Sequence, residues 1–335
     1  MAVTLVDMAM LEKNPLRKGI INAMIEEPFV IDRIPWENTN ALNCTVTYIS
    51  GVPVVSFRNI NEAPANVEAS VSQFQETLKV MEVNIDVDWV LTKPGNLVQN
   101  PRTVQTEAVS KGLAYTINDL FINGDPTANP KNPTGLKYRL VNDARYLQGD
   151  TTGDSRGQIV DTNTCNLANT ANYNTTGLAF LDKFDEAIYK IDGHRPSMAL
   201  MNRQTLLRVR SLLRGARLLD QTKDQFDRKI DTYSDIPLLD IGVKAEGALL
   251  GQAANQILGN NNETSQIVAT ANTSSIYLVR TGASYTQGLQ MGGLETIDLG
   301  QLKDSPHLVR TNLRWILGFY VGQPRAIARL CGFIA

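Results

Sequence analysis

DLFINGDPTANPKNPTGLKYRL, spanning Asp119 to Leu140, decides how the rest of the chain is read. A helical pattern runs out in Phe121-Ile122-Asn123-Gly124-Asp125. Gly124, just past the last apolar helical residue, is a stop signal, and Pro126 cannot continue a helix. A turn rich in Pro and Asn follows, and Thr134-Gly135-Leu136 restarts regular structure. Toward the N-terminus, Val109, Leu113, Ile117 and Leu120 keep helical spacing. Pro101 suits a first turn, with Asn100 as its cap. The pattern predicts a helix over about 101–122, roughly 30 Å long at 1.5 Å per residue.

Before that helix, Val83, Ile85, Val87, Trp89 and Leu91 alternate with Glu82, Asn84, Asp86 and Asp88, the period of a half-exposed strand. Residues 42–58 also alternate (Cys44, Val46, Tyr48, then Val54, Val55, Phe57), and 59–70 are small and polar around Pro64, a loop tip. Residues 1–40 hold Pro15, Pro28 and Pro35 with Gly19 between, which predicts an extended arm. Its apolar side chains Leu11, Ile20, Ile21, Phe29 and Trp36 are the expected anchors on a neighbour. Downstream, 148–176 read as an exposed loop, 178–191 as a helix with Leu178, Leu181, Phe184 and Ile188 inward, and a third helix begins after Asn202. Residues 215–235 and 251–275 read as loops. The last sixty residues read as β: 276–279, 295–299, 311–321 and 326–334. Gly288, Gly292 and Gly293 mark a bend in a strand.

The 335 residues carry 43% hydrophobic and 20% charged side chains, the balance of a globular chain able to bury a sizeable core. A formal net charge of −2 lacks the basic excess of a general nucleic-acid binder. No run of apolar residues reaches the eighteen or so that a transmembrane helix needs, and the N-terminus has no basic start followed by an apolar core, so neither a membrane partner nor a secretory signal is expected. Cys44, Cys165 and Cys331 are odd in number and far apart, which predicts no disulfide framework and assembly in a reducing cytosol. No phosphate-cradling loop, dinucleotide fingerprint or nucleophile elbow occurs. His194 and His307 are isolated, and Asp86 and Asp88 sit on the polar face of a strand, where a solvated face or an intersubunit ion pair is the expectation. No catalytic residue, cofactor or metal ligand is therefore expected, and the chain does not read as an enzyme. The most distinctive charged feature is on the third helix: Arg203, Arg210, Arg214 and Arg217, spaced seven, four and three apart, line one face. That face is either solvated or paired within the chain, or it meets carboxylates on a neighbouring subunit, which guanidinium forks suit; contact with DNA is a third reading that the net charge disfavours.

These segments, in this order, resemble the major capsid proteins of tailed bacteriophages, which share the Hong Kong 97 capsid fold. The junction Phe121–Asp125 resembles the end of that family's spine helix. Phe57–Pro64 followed by Thr77–Val80 resembles its extended loop and returning strand, and Pro196–Asn202 its step from strand to helix in the axial domain. Ser274–Val279 and the run from Val309 to Tyr320, closing into Gln323–Ile327, resemble late peripheral-domain strands. The resemblance covers roughly residues 40 to 335 and implies an α+β fold. Its parts would be an N-terminal arm (1–40), an extended loop (41–78), a peripheral domain (79–140 and 276–322, with the spine helix) and an axial domain (141–275 and 323–335).

The function implied is a structural subunit forming pentamers and hexamers in an icosahedral shell around double-stranded DNA. The subunit would be assembled in the host bacterial cytoplasm and reside in the virion. Implied partners are further copies of the chain, a scaffolding protein, a portal, a cementing or decoration protein, and DNA held without sequence preference. The resemblance starts near residue 40, so the scaffold is expected to be a separate protein. Some family members crosslink through a lysine in the extended loop; here 59–70 has none and the nearest is Lys79, so no crosslinking is expected. Expected intersubunit residues are Arg203, Arg210, Arg214, Arg217, Glu62 and Trp36. An encapsulin-type nanocompartment shell is the alternative on the same fold, and a cytosolic enzyme with an unrecognised site the alternative from another class.

Overall fold

A computed structural model describes residues 32–92, 101–147, 155–162, 165–167, 173–223, 229–244, 256–258 and 273–334. The expected arm up to residue 31 and the cap at Asn100 lie outside the described residues.

Two sheets organise the molecule. The smaller has four strands in the order β1 (Trp36–Asn38), β12 (Thr286–Gln301), β13 (Leu308–Val321), β4 (Lys79–Asp88). β12 and β13 run antiparallel, as do β13 and β4, whereas β1 lies parallel to β12. Ile85 and Val87 of β4 face inward with Leu313, Trp315, Leu317 and Phe319 of β13, and the alternation expected for β4 is present. It ends sooner than expected: Asp88 closes the strand and Trp89–Thr92 turn into a 3-10 helix. β12 is bent at Gly292 and Gly293, both left-handed (φ 77° and 75°), where its register against β13 shifts.

The spine helix α1 (Pro101–Asn123) lies on this sheet, about 34 Å long at 1.5 Å per residue. Leu113, Ala114, Ile117, Phe121 and Ile122 form its buried stripe. Two polar members of that stripe satisfy themselves: the Thr106 and Ser110 hydroxyls donate to the carbonyls of Arg102 and Thr106, at 2.8 and 2.6 Å.

The junction after α1 is built on two glycines. The Gly124 N–H donates back to the Leu120 carbonyl at 2.9 Å, and the Gly135 N–H donates to the Gly124 carbonyl at 2.8 Å. A Cβ on Gly135 would lie 2.5 Å from the Gly124 nitrogen, and one on Gly124 would lie 2.3 Å from the Pro133 carbonyl oxygen. Between them, Asp125 Oδ1 accepts from the N–H groups of Thr127 and Ala128, a side-chain turn that reverses the chain. α2 (Leu136–Asn142) then begins, followed by the single turn α3 (Ala144–Leu147).

The larger sheet has eight strands in the order β5 (Ser155–Arg156), β6 (Ile159–Asp161), β14 (Ile327–Phe333), β11 (Ser274–Val279), β7 (Met198–Met201), β10 (Ile236–Asp240), β9 (Lys229–Tyr233), β8 (Asp220–Lys223). β7, β11 and β14 are buried along their whole length, as expected of strands covered on both faces. Their alternation sorts side chains between two cores. Met198, Leu200, Tyr277, Val279, Ile327 and Cys331 share a core with α1 and the smaller sheet. Ala199, Met201, Ile276, Leu278, Ala328 and Leu330 face α4 (Leu178–Lys190) and α5 (Arg203–Ala216).

Several expectations are corrected here. Ser274–Val279 joins the larger sheet and not the peripheral one, because it pairs with β7 and β14. Residues 148–176 are not one exposed loop: β6 is fully buried and pairs in parallel with β14. Residues 215–235 contain the antiparallel pair β8–β9. On α4 the inward residues include Phe180 beside Leu181, Phe184 and Ile188, while Leu178, at the first turn, is exposed. Asp86 pairs within its own chain, Arg310 Nε donating to its carboxylate at 2.6 Å across β4 and β13.

Candidate subunit interface

Residues 43–77 leave both sheets. β2 (Asn43–Gly51) and β3 (Ser70–Thr77) pair only with each other, in an antiparallel ribbon. A lone two-stranded ribbon is at best marginally stable in water. Its tip makes the case for an interface. Val52, Val54, Val55, Phe57 and Ile60 are all exposed, and Phe57 has its whole side chain in solvent. A contiguous exposed apolar patch of this kind marks a binding surface. Residues 59–70, small and polar, are the expected loop tip; the exposed apolar side chains lie at 52–60. Glu62, an expected intersubunit residue, closes the tip locally. Its Oε2 accepts from the Asn59 N–H at 2.8 Å and its carbonyl accepts from Arg58 Nη1 at 3.0 Å, with Asn61 left-handed between them (φ 67°).

An apolar groove of about 320 Å³ lies between α1 and the edge strand β4, lined by Met81, Val83, Val109, Gly112, Leu113 and Thr116.

At its base the ribbon is held by two arginines from the segment that follows the spine helix. Arg139 of α2 is fully buried and forks onto both carboxylate oxygens of Glu76 in β3; Nη2 reaches Oε2 at 2.9 Å and also donates to the Phe319 carbonyl at 2.9 Å. Burial alone would depress the Arg139 pKa, but the Glu76 charge and hydrogen bonds outweigh it and drive the value above the ordinary range. Arg145 of α3 lays its guanidinium 3.5 Å from the centre of the Phe74 ring, with Tyr48 at 5.9 Å, while its Nε donates to Asp143 at 2.8 Å. Burial would raise the Asp143 pKa, yet the hydrogen bonds and charge of Arg145 hold it below the ordinary carboxylate value. None of Glu76, Arg139, Phe74 or Arg145 was singled out from sequence. One signal existed: Arg139 lies between Leu136 and Leu140 on the buried face of a short helix, where a lone cation needs a partner.

The other expected interface residues divide. Trp36 is corrected: it sits in its own subunit's core, 4.9 Å from the Trp315 ring and 6.4 Å from Phe319, over Gly288, where a Cβ would lie 2.4 Å from its ring. Arg210 is engaged within the chain, its Nε 2.8 Å from Asp231 Oδ2. Arg203 acts electrostatically on Asp240, whose pKa is nonetheless raised by burial. Arg214 and Arg217 are exposed, with no carboxylate partner among the described residues; Arg217 ends α5 in the left-handed conformation (φ 59°). The stripe is amphipathic as expected, with Thr205, Val209, Leu212 and Leu213 facing the core and Asn202 capping the helix through its bond to the Thr205 N–H at 2.7 Å.

A ribbon projecting from a long helix on a small sheet, beside a larger sheet flanked by helices, is the architecture of the Hong Kong 97 capsid fold. Solved structures agree across nearly the full length. The SrpI encapsulin from Synechococcus elongatus PCC 7942 is 14% identical with a TM-score of 0.55, covering 98% of this chain and 95% of that one. The capsid protein of a native GTA particle is 14% identical with a TM-score of 0.56, covering 93% and 90%. That of the Myoviridae phage XM1 is 12% identical with a TM-score of 0.51, covering 88% and 86%. The family model Major capsid protein GP7 matches residues 13–177, just under half of the chain, and that match together with the shared Hong Kong 97 capsid fold supports a capsid shell subunit. A curated rat protein (Rattus norvegicus), cytochrome P450 2C55, is 29% identical over 127 residues, 37% of this chain; the chain spans about a quarter of that protein, 24% of its length.

Proposed function

We propose that the chain is the major capsid protein of a tailed bacteriophage, a non-enzymatic subunit that forms pentamers and hexamers and closes them into an icosahedral shell around double-stranded DNA. The observation that carries this reading is the ribbon tip: its own subunit gives Val52, Val54, Val55, Phe57 and Ile60 nothing to pack on. Contact between one copy's tip and another copy's surface is heterologous, and heterologous contacts close into rings. The apolar groove between α1 and β4 is the receiving surface of matching chemistry. Arg214 and Arg217 are open to carboxylates of a neighbour, and Arg203 and Arg210 flank them on the same face. With no lysine between residues 59 and 70, strength comes from overlap of many modest contacts. A net charge of −2 suits a wall that holds DNA without sequence preference and without gripping it. A separate scaffolding protein, a portal and a cementing protein complete the set of partners, with assembly in the host bacterial cytoplasm and residence in the virion.

The similarity to an encapsulin over 98% of this chain favours one second reading, a nanocompartment shell around protein cargo. Expression of the chain with and without a scaffold from the same gene neighbourhood, imaged by electron microscopy, separates the two. Shells that need a scaffold and take up DNA through a portal support the phage reading. Closed shells that form alone and load a cargo protein support the alternative, and only soluble monomers under every condition contradict both.

A further inference from the structure

We infer that Arg139 and Arg145 set the angle at which the extended ribbon leaves the subunit, and that they set it before any neighbour is present. This rests on the reading that the ribbon seats on a neighbouring copy.

The ribbon's ties to the body are concentrated at its base. The Leu78 N–H donates to the Leu42 carbonyl at 2.8 Å and closes the ribbon's neck, while Arg139 forks onto Glu76 and Arg145 covers Phe74 from the body. Farther out, a cleft of about 430 Å³ separates Tyr48, Ile49 and Ser50 of β2 from Tyr189, Lys190, Gln323, Pro324 and Arg325 of the larger domain. With that space open, packing beyond the base does not fix the ribbon's angle; the two arginines at the base do.

They hold it in complementary ways. Arg139 is a planar fork whose two donors fix the direction of the Glu76 carboxylate and, through it, of β3. Its third tie, to the Phe319 carbonyl, fastens the fork to the smaller sheet. Arg145 stacks on the ring two residues farther along β3 and blocks rotation about the first contact. Asp143 keeps Arg145 in place from behind.

Both arginines stand on a short segment that is itself fixed at each end. Leu136 and Leu140 are buried against the spine helix. At the other end the Tyr146 carbonyl accepts from the Gln158 N–H at 3.0 Å. The turn carrying Gly157 (φ +57°) presses so close that a Cβ there would lie 2.2 Å from the Tyr146 oxygen. A shift between the larger sheet and the spine helix would therefore pass through this segment to the ribbon.

The test uses free, full-length subunits and assembled shells. Spin labels carried by an encoded non-canonical residue at positions 57 and 207 give the tip-to-body distance distribution by pulsed electron paramagnetic resonance. The wild type should give one narrow distribution in free subunits. Arg145→Gln and Phe74→Leu should each broaden it several-fold while the thermal midpoint stays nearly unchanged, since both sites lie at the surface of the joint. Removing Arg139 alone risks unfolding, so the paired change Arg139→Met with Glu76→Leu replaces the fork by apolar groups of similar size; it should fold and also broaden the distribution. In assembly, the same variants should yield mixed diameters or unclosed sheets. A width equal to wild type in Arg145→Gln and in the paired variant would overturn the inference. Failure of the wild type to form shells both with and without a scaffold would contradict the proposed function, while the distance measurement on free subunits would still decide the role of the arginines.

Discussion

The eight-stranded sheet and the extended ribbon are built by opposite rules. In β7, β11 and β14 every residue is buried and both faces are covered within the subunit. In the ribbon most residues are exposed, with Val46 and Glu76 the buried exceptions near the base, and large apolar side chains gather at the tip. One region completes its contacts on folding; the other is left for association. The same substitution should therefore have opposite readouts in the two places, and several outcomes would break or sharpen that contrast.

The largest effect on subunit stability belongs to the sheet. Leu278→Ala, at a fully buried position between α4 and α5, should cost about 2–5 kcal/mol, seen as a lowered denaturation midpoint of free subunits. A cost under about 0.5 kcal/mol, typical of surface changes, would mean that the sheet interior is not the packed core described. Gly135→Ala comes next. A methyl group forced against the Gly124 backbone should cost about 1–3 kcal/mol and shift α2, lowering both the midpoint and the yield of shells.

The paired change Val55→Ser with Phe57→Ser reverses the pattern. Free subunits should keep their stability to within about 0.5 kcal/mol, while closed shells disappear from micrographs. Wild-type shell yield from this variant would remove the tip from the interface. The arginine face should show a smaller split. Arg210→Ala should cost about 0–1 kcal/mol, as expected for a partly exposed pair with Asp231, and leave assembly intact. Arg214→Glu should impair assembly with little change in subunit stability; if it instead destabilises free subunits and leaves shells normal, the stripe serves the fold alone.

The smallest effect is one of pH. Asp143 has its folded pKa held below the ordinary carboxylate value, so its pairing with Arg145 contributes stability that is fully present above that value and is lost as the pH falls through the folded pKa. Loosening of the ribbon base should thus begin only below the ordinary Asp range, followed by hydrogen exchange of residues 70–77. Loosening already near neutral pH would point to a different group.

Much of this architecture was legible in the sequence because it repeats a period long enough to read. α1 spans 23 residues and β4 alternates over ten. The junction after α1 was legible because glycine and proline punctuate it, and the structure gives the reason, the contact between the Gly124 and Gly135 backbones. What escaped was short or depended on distant partners. β6 has three residues, all buried, and no periodicity marks such a strand within a stretch rich in Gly, Asn and Thr. Whether β11 belongs to one sheet or the other depends on pairing with β7 and β14, which its own residues do not encode. Trp36 looked like an anchor for a neighbour because its seat, Gly288 beneath Trp315 and Phe319, lies some 250 residues away. The arginine stripe on α5 was read correctly as a face, but sequence spacing could not tell that Arg210 meets Asp231 of its own hairpin. The tip was located, yet its apolar run 52–57 was taken as strand; alternation in a ribbon with no core beneath it does not distinguish the two.

A ribbon completed by another copy of the chain must change its protection on assembly. Amide hydrogen exchange across residues 43–77, compared between free subunits and assembled shells, reads this change. Exchange should be fast in free subunits and strongly slowed in shells, most of all around Val52–Ile60, with β7, β11 and β14 equally protected in both states. Equal exchange across residues 43–77 in the two states would contradict completion by another copy.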